Sequence, residues 1–311
     1  MRSVAKHTTS VVALFRVLCV FATSLVAWAP ARAEVWGVKT HDPESGPPAT
    51  LFHFAEDGSS FVAVAPVTLG GTEIDVDGLA VRTDGSLFGF QLDAGGSRLI
   101  SINPATAAAQ AIGSTLAGRD IRGASFTRSG ALLVLDSAQE QLLQINPADG
   151  SVIGQPVRLT QGGNPYPDLS NLTDIAERGD GTLFVCDYSG LTGAKVFTLN
   201  SSTGALTTLF TDTDDIGLVG AAFSASSADP TILFALDVFE SEELLTYQSE
   251  APHARSTLYP GIIPEYNAGR GDLAAAPVPE PQTWAHGVAL FASVGALCLL
   301  RRQYACRRHS V

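Results

Sequence analysis

The sequence predicts an all-β protein, specifically a five-bladed β-propeller, and three observations lead to this prediction. A strand–turn–strand unit recurs along the chain, its copies are similarly spaced, and the strand missing from the first copy is found near the C-terminus. The clearest copy spans residues 78–90, where an Asp-Gly turn separates two apolar runs. This is the strongest short-range sequence signal for a β-hairpin.

The spacing of the repeat is typical of propeller blades. The inner strands of four copies begin at residues 78, 123, 174 and 220, which are 45, 51 and 46 residues apart. In the first three of these copies a third strand then runs into a turn rich in Asn, Pro, Asp or Gly, and a fourth strand follows. Four short antiparallel strands in about 40–50 residues indicate one blade.

The two ends of the folded region are expected to share a blade. The N-terminal segment offers three strands, at 35–38, 50–54 and 61–64, and has no inner strand. Residues 271–275 match the inner-strand pattern of 77–80. Strand exchange between the N- and C-terminal segments would therefore close the ring without an open sheet edge. An open sandwich or an incomplete ring is the alternative.

The first 33 residues are predicted to be a signal helix that directs export through the Sec translocon. Arg2 and Lys6 precede an apolar stretch that ends in a small-x-small cleavage site. A retained N-terminal membrane helix is the alternative. The residues around the predicted cleavage are Ala31, Ala33 and Glu34. The propeller ectodomain would then occupy residues 34–277.

Residues 278–311 form a tail of three parts. A Pro-Glu-Pro motif at 278–281 precedes an apolar stretch at 283–300, which is long enough for a transmembrane helix. A basic cluster at 301–308 follows, and its arginines would hold that end in the cytoplasm. The residues assigned to the motif and cluster are Val278, Pro279, Glu280, Pro281, Arg301 and Arg302.

This tail resembles the PEP-CTERM sorting tail of Gram-negative bacteria. The resemblance implies recognition by exosortase, a membrane-embedded cysteine transpeptidase, and cleavage near the motif. It also implies a role in extracellular polysaccharide or biofilm. The protein would cross the inner membrane, be anchored by its C-terminal helix, and then reach the cell surface or extracellular matrix. An ordinary single-pass anchor is the alternative.

Segments of the repeat, such as Asp-Gly-Ser-Leu-Phe-Gly and Ile-Asn-Pro-Ala-Thr, resemble the YncE-like and NHL-like bacterial propellers. That resemblance implies a binding or scaffold module. No zinc-type histidine pair, nucleophile elbow or dinucleotide fingerprint is recognised in the chain. The sequence therefore predicts a non-enzymatic propeller that binds an extracellular polysaccharide or protein. A metal-dependent hydrolase or lyase that uses carboxylates at the propeller mouth is the alternative.

Charge is distributed unevenly. Of 19 basic and 31 acidic residues, eight basic residues and Glu280 lie in the two terminal segments, so residues 34–277 keep 11 basic and 30 acidic residues and a net charge of −19. Nucleic-acid binding requires a basic surface and is disfavoured. Cations and neutral polymers are compatible partners, and solubility outside the cell is the simpler explanation.

Aligning the blades places polar side chains at the start of the inner strands, where they are expected to ring one mouth of the channel. Convergent oxygens there would suit calcium, although no cofactor is required. Capping of turns at blade junctions is the alternative. The expected mouth residues are Asp75, Asp77, Asp120, Arg122, Asn171, Asp174 and Asp272. The candidate calcium ligands are Asp75, Asp77, Asp212, Asp214 and Asp215.

Overall fold

A computed structural model describes most of the region between the two terminal segments. The described residues are 34–40, 49–93, 95–166, 172–188, 193–214, 217–223, 231–237, 243–259 and 270–276. Every helix or strand assigned within these ranges is a β-strand, which confirms the all-β prediction. The predicted signal helix, the sorting motif and the transmembrane stretch at 283–300 lie outside them. Within the described ranges, no helix is long and apolar enough to cross a membrane.

The described strands form five sheets. Sheet 1 contains β1 (Glu34–Thr40), β2 (Thr50–Ala55), β3 (Phe61–Pro66) and β25 (Arg270–Ala275). Sheet 2 contains β4 (Thr68–Leu69), β5 (Thr72–Glu73), β6 (Val76–Val81), β7 (Leu87–Asp93), β8 (Gly96–Ile102), β9 (Ala108–Ala111) and β10 (Leu116–Ala117). Sheet 3 contains β11 (Ile121–Phe126), β12 (Leu132–Asp136), β13 (Gln141–Ile145) and β14 (Val152–Arg158).

Sheets 4 and 5 complete the set. Sheet 4 contains β15 (Thr160–Gln161), β16 (Asn164–Pro165), β17 (Leu172–Glu177), β18 (Leu183–Asp187), β19 (Ala194–Asn200) and β20 (Ala205–Asp212). Sheet 5 contains β21 (Leu218–Phe223), β22 (Ile232–Asp237), β23 (Leu244–Gln248) and β24 (Arg255–Tyr259). Two short hairpins, β4–β5 and β15–β16, were not expected. Each pairs in parallel with the outer strand of its sheet and covers part of that edge.

One edge strand of each sheet lies at a common axis. Strand β6 packs against β11, β11 against β17, β17 against β21, β21 against β25, and β25 against β6. Antiparallel sheets arranged radially around such a closed ring are a β-propeller. We call these five the inner strands.

Strand β25 completes sheet 1, as the repeat pattern predicted. It pairs antiparallel with β1, with Trp36 opposite Ala274 and Val38 opposite Asp272. Leu273 is 1% exposed and lies in an apolar cluster with Phe52, Phe54 and other side chains of sheets 1 and 5. Burying an apolar side chain of this size contributes about 1.5–3 kcal/mol. The C-terminal strand is therefore part of the core.

The hairpin predicted at 78–90 is present, and its turn is held by side chains. Asp84 accepts a hydrogen bond from Arg82 Nε at 3.0 Å and another from the Ser86 N–H at 2.9 Å. Gly85 has a φ of +83°, which favours glycine. The guanidinium of Arg82 holds the pKa of Asp84 well below its usual range. Arg178 and Asp180 repeat this arrangement in sheet 4.

Candidate functional site

The expected mouth residues do not form one open ring. Asp77, Asp174 and Asp272 are 2%, 0% and 0% exposed. Asp75, Asp120 and Arg122 are partly exposed at the end of the channel where the inner strands begin. Asn171 lies outside the described residues. We refer to this end as the acidic mouth, and three of its predicted members lie buried inside the channel wall.

Asp174 and Asp272 occupy equivalent positions in β17 and β25, where the other inner strands carry Gly78, Gly123 and Gly220. The glycines make room for the aspartates. A Cβ on Gly123 would lie 2.5 Å from the Cα of Asp174, and one on Gly220 would lie 2.8 Å from the backbone N of Leu273. Each aspartate thus packs against a glycine of the preceding inner strand.

The two carboxyl groups tie adjacent inner strands together. The Ala221 N–H of β21 donates to Asp174 Oδ2, and the Leu79 N–H of β6 donates to Asp272 Oδ2. Inner strands of neighbouring sheets share no ladder of backbone hydrogen bonds, so these side chains supply polar contacts between sheets. The fold explains the two aspartates without a ligand.

A hydrogen bond also joins Asp174 to Asp272. Burial raises the pKa of both, and the charge of Asp174 raises the pKa of Asp272 further. Two carboxyl groups that share a site cannot both ionise readily, because their like charges repel in a medium of low dielectric constant. The pair therefore holds a proton at pH values where exposed aspartates have lost theirs.

Three aspartates that were not predicted from the sequence lie at the acidic mouth: Asp136, Asp187 and Asp237. Each ends the strand next to the inner strand of its sheet and is buried. The Asp120 N–H donates to Asp136 Oδ1 at 3.1 Å, and the Gly217 N–H donates to Asp237 Oδ1 at 2.9 Å. The repeated sequence Leu-Asp or Cys-Asp at the ends of these strands is the signal that would have revealed them.

The candidate calcium ligands do not fit a calcium site. Asp212 accepts hydrogen bonds from Tyr247 Oη and Arg255 Nη1, each at 3.0 Å, and Asp214 pairs with the same guanidinium. Asp77 is buried, and Asp215 lies outside the described residues. Across the described ranges, no three His, Cys, Asp or Glu side chains are arranged to hold a metal ion.

The opposite end of the channel carries an open depression, which we call the axial pocket. Its floor is built from the fifth residue of each inner strand. These residues are all small: Ala80, Ser125, Ala176, Ala222 and Ala274. Small side chains here leave space at the axis that larger ones would fill.

Three charged side chains line the axial pocket, namely Arg128, Glu177 and Arg178. Glu177 ends β17 and accepts a hydrogen bond from the Arg128 N–H in the neighbouring sheet. Burial raises the pKa of Glu177. The charge of Arg178 is met by Asp180 and by Glu250, 2.7 Å away. The pocket therefore offers a carboxyl group, the Ser125 hydroxyl and the Arg128 guanidinium to a ligand.

No protein-family model matches this chain. No curated protein matches it either.

Solved propeller structures do match it. Virginiamycin B lyase from Staphylococcus aureus is 13% identical with a TM-score of 0.42, and the match covers 75% of each chain. TolB from Acinetobacter baumannii is 16% identical with a TM-score of 0.46, over 79% of this chain and 67% of TolB. A gluconolactonase from Xanthomonas campestris is 15% identical with a TM-score of 0.43, over 71% of this chain and 73% of that one. Likeness at this level concerns the fold alone.

These matches correct one prediction. The lack of a recognised motif predicted a non-enzymatic module, but the matching propellers include a lyase and a gluconolactonase. Lack of a familiar motif does not show that a propeller lacks catalytic activity, so the prediction was wrong.

Proposed function

We propose that this chain is an exported propeller whose axial pocket binds a small polar ligand. The observation that supports this most directly is the floor of five small residues, which opens the axis beside Glu177 and Arg128. Ligand sites in proteins are usually concave with a few convergent polar groups, and the axial pocket combines small side chains with the polar groups of Ser125, Arg128 and Glu177.

We further infer that each of the five sheets is one blade. Support comes from the closed order of the inner strands, in which β25 contacts both β21 and β6. The C-terminal strand would then complete the first blade and close the ring.

The pocket also supports a second, related function, that of a hydrolase or lyase with Glu177 as its acid–base group. Burial raises the pKa of this carboxyl, so a larger protonated fraction is present near neutral pH than for an exposed glutamate. Of the mouth carboxylates first expected to do such chemistry, Asp77, Asp174 and Asp272 are buried, whereas Asp75 and Asp120 are partly exposed. Glu177 is the better-placed group because it lines an open pocket.

Export and sorting remain proposals based on the terminal segments. A leader ending at Ala33 and a tail with Pro279, Glu280 and Pro281 support passage through the Sec translocon and recognition by exosortase. The extracellular partner would be a polysaccharide or a breakdown product of one, in keeping with the acidic, non-nucleic-acid-binding surface.

The binding proposal is tested by filling the pocket. Ser125→Leu would place a larger side chain on the floor, and Ser114→Leu, at an exposed position, is its matched control. Screening sugars, sugar acids and lactones by calorimetry and by turnover should find a ligand that Ser125→Leu loses and Ser114→Leu keeps. Equal binding by both variants would place the ligand elsewhere. Turnover that Glu177→Gln abolishes would establish the enzymatic function.

A further inference from the structure

We infer that the ligand of the axial pocket carries a carboxylate, as a uronic acid does, and that Arg128 binds it. This inference rests on the pocket being the ligand site. It follows from how the charged groups around the pocket are already engaged.

Arg178 is not available to a ligand. Its guanidinium donates to Asp180 through Nε and Nη2, and through Nη1 to Glu250 Oε1 at 2.7 Å and Ser249 Oγ at 3.2 Å. It also lies over the ring of Phe184, 5.3 Å from the centroid. Its donors and its face are both engaged within the protein.

Arg128 is engaged only in part. Its backbone N–H donates to Glu177, but its side-chain Nε is buried and has no hydrogen-bond partner among the described residues. The charge of Arg128 lowers the pKa of Glu177 through space. Arg128 forms no ion pair within the described part of the chain. Native proteins rarely leave a buried N–H donor without an acceptor, so water or a ligand that reaches this guanidinium is expected to supply one.

A carboxylate is the acceptor that matches this group best. The guanidinium is planar and presents parallel N–H donors, so it binds a carboxylate through two hydrogen bonds at once. The neighbouring groups suit the rest of a sugar acid. Ser125 and Glu177 can exchange hydrogen bonds with hydroxyl groups, and the alanine floor can contact the C–H face of a ring.

The acidic surface of the protein works against an anionic ligand only weakly at this site. Exposed charges more than about 8 Å away are largely screened at physiological ionic strength. Of the three charged side chains that line the pocket, Arg178 is paired with Asp180 and Glu250, so Arg128 and Glu177 set the local charge. Hydrogen bonds and charge attraction between Arg128 and the carboxylate therefore decide whether an anionic ligand binds.

Calorimetric titration of the purified, processed protein with sodium glucuronate and with glucose tests the inference. Because hydrogen bonds to a charged group typically contribute 1.5–3 kcal/mol, glucuronate should bind at least about tenfold more tightly than glucose. Arg128→Gln should remove that preference. Arg98→Gln, which changes a partly exposed arginine bound to the Gly113 carbonyl, should preserve it. Arg128→Lys keeps the charge, and we expect it to retain part of the preference.

Thermal melting would establish that each variant is folded, and Arg128→Lys serves if Arg128→Gln is not. Equal affinity for the two sugars, or a preference that survives Arg128→Gln, would overturn the carboxylate inference and leave the pocket proposal standing. Binding of neither sugar, and of no other compound in the wider screen, would overturn both.

Discussion

Asp174 and Asp272, which are 98 residues apart in sequence, share a hydrogen bond at the axis of the propeller. One belongs to the middle of the chain and the other to the strand that closes the ring. Because each also accepts a backbone N–H from the next inner strand, the pair links four of the five inner strands. The contact between β17 and the closing strand β25 therefore includes a proton that can titrate.

The first prediction concerns pH. Burial raises the pKa of Asp174 and of Asp272 above that of an ordinary aspartate, and the charge of Asp174 raises the pKa of Asp272 further. Above the pKa of an ordinary aspartate the folded pair therefore holds a proton that the unfolded chain releases, so the free energy of unfolding should fall as pH rises. Melting temperatures between pH 5 and pH 8 measure the effect.

Asp272→Asn should flatten this dependence. Asp272 accepts the Leu79 N–H through Oδ2 and the Leu273 N–H through Oδ1; an Asn at 272 can keep one of these two bonds and can donate to Asp174 without needing a proton. The variant should melt higher than the wild type at pH 8 and closer to it at pH 5. Asp57→Asn, at an exposed turn where the side chain accepts from the Ser59 N–H, should keep the wild-type profile. A variant profile parallel to that of the wild type would contradict the proton-sharing account.

The second prediction concerns the closing strand. Leu273→Ala removes a fully buried side chain from the cluster between sheets 1 and 5, and a loss of about 2–5 kcal/mol in the free energy of unfolding is expected. Val62→Ala, at a position 43% exposed on the outer strand of sheet 1, should cost far less. Deletion of residues 270–277 should lower the melting temperature strongly or cause aggregation. Denaturant titration would show equal losses for the two point variants if β25 were only loosely attached.

The third prediction concerns the glycines beside the axial aspartates. Gly123→Ala would push a methyl group to within 2.5 Å of the Cα of Asp174, which the backbone must move to avoid. Such overpacking costs about 1–3 kcal/mol or more. Gly95→Ala meets nothing within 4 Å and should be nearly neutral. Chemical denaturation of both variants decides the matter, and a neutral Gly123→Ala would mean that the inner strands separate easily.

Several features of the fold could be read from the sequence, and the reasons are local. Asp-Gly turns between apolar runs specify hairpins, and the match between 271–275 and 77–80 identified the strand that sheet 1 lacked. The burial of Asp174 could not be read in the same way. The register of β17 against β18 shifts between Leu172 and Asp174, and a similar irregularity follows Asp77 in β6. A β-bulge turns the following side chain to the other face, and a pattern of period two does not reveal it.

The axial pocket was missed for a different reason. Glu177 and Arg128 are 49 residues apart and meet only because their sheets are neighbours in the ring. No local motif joins them. The small fifth residue of every inner strand was visible in the sequence, but its meaning depends on which end of the channel it faces.

The fourth prediction concerns sorting. If exosortase reads the tail, Glu280→Ala should leave an uncleaved precursor in the inner membrane of a host that has the enzyme. Glu73→Ala, an exposed change in the short strand β5, should be processed normally. Immunoblots of membrane and released fractions distinguish the precursor from its product. Normal release of Glu280→Ala would favour an ordinary anchor or another protease.

The closing strand delivers the chain to the rim of the axial pocket, since Ala274, Ala275 and Ala276 all line it. Strand β1 starts at the same end, because Val35 pairs with Ala275. The opening of the axial pocket and both ends of the propeller therefore occupy one face. A support or fusion joined at either terminus would crowd the opening, whereas a linker inserted at the exposed turn of Ala138 and Gln139, on the opposite face, would leave it clear.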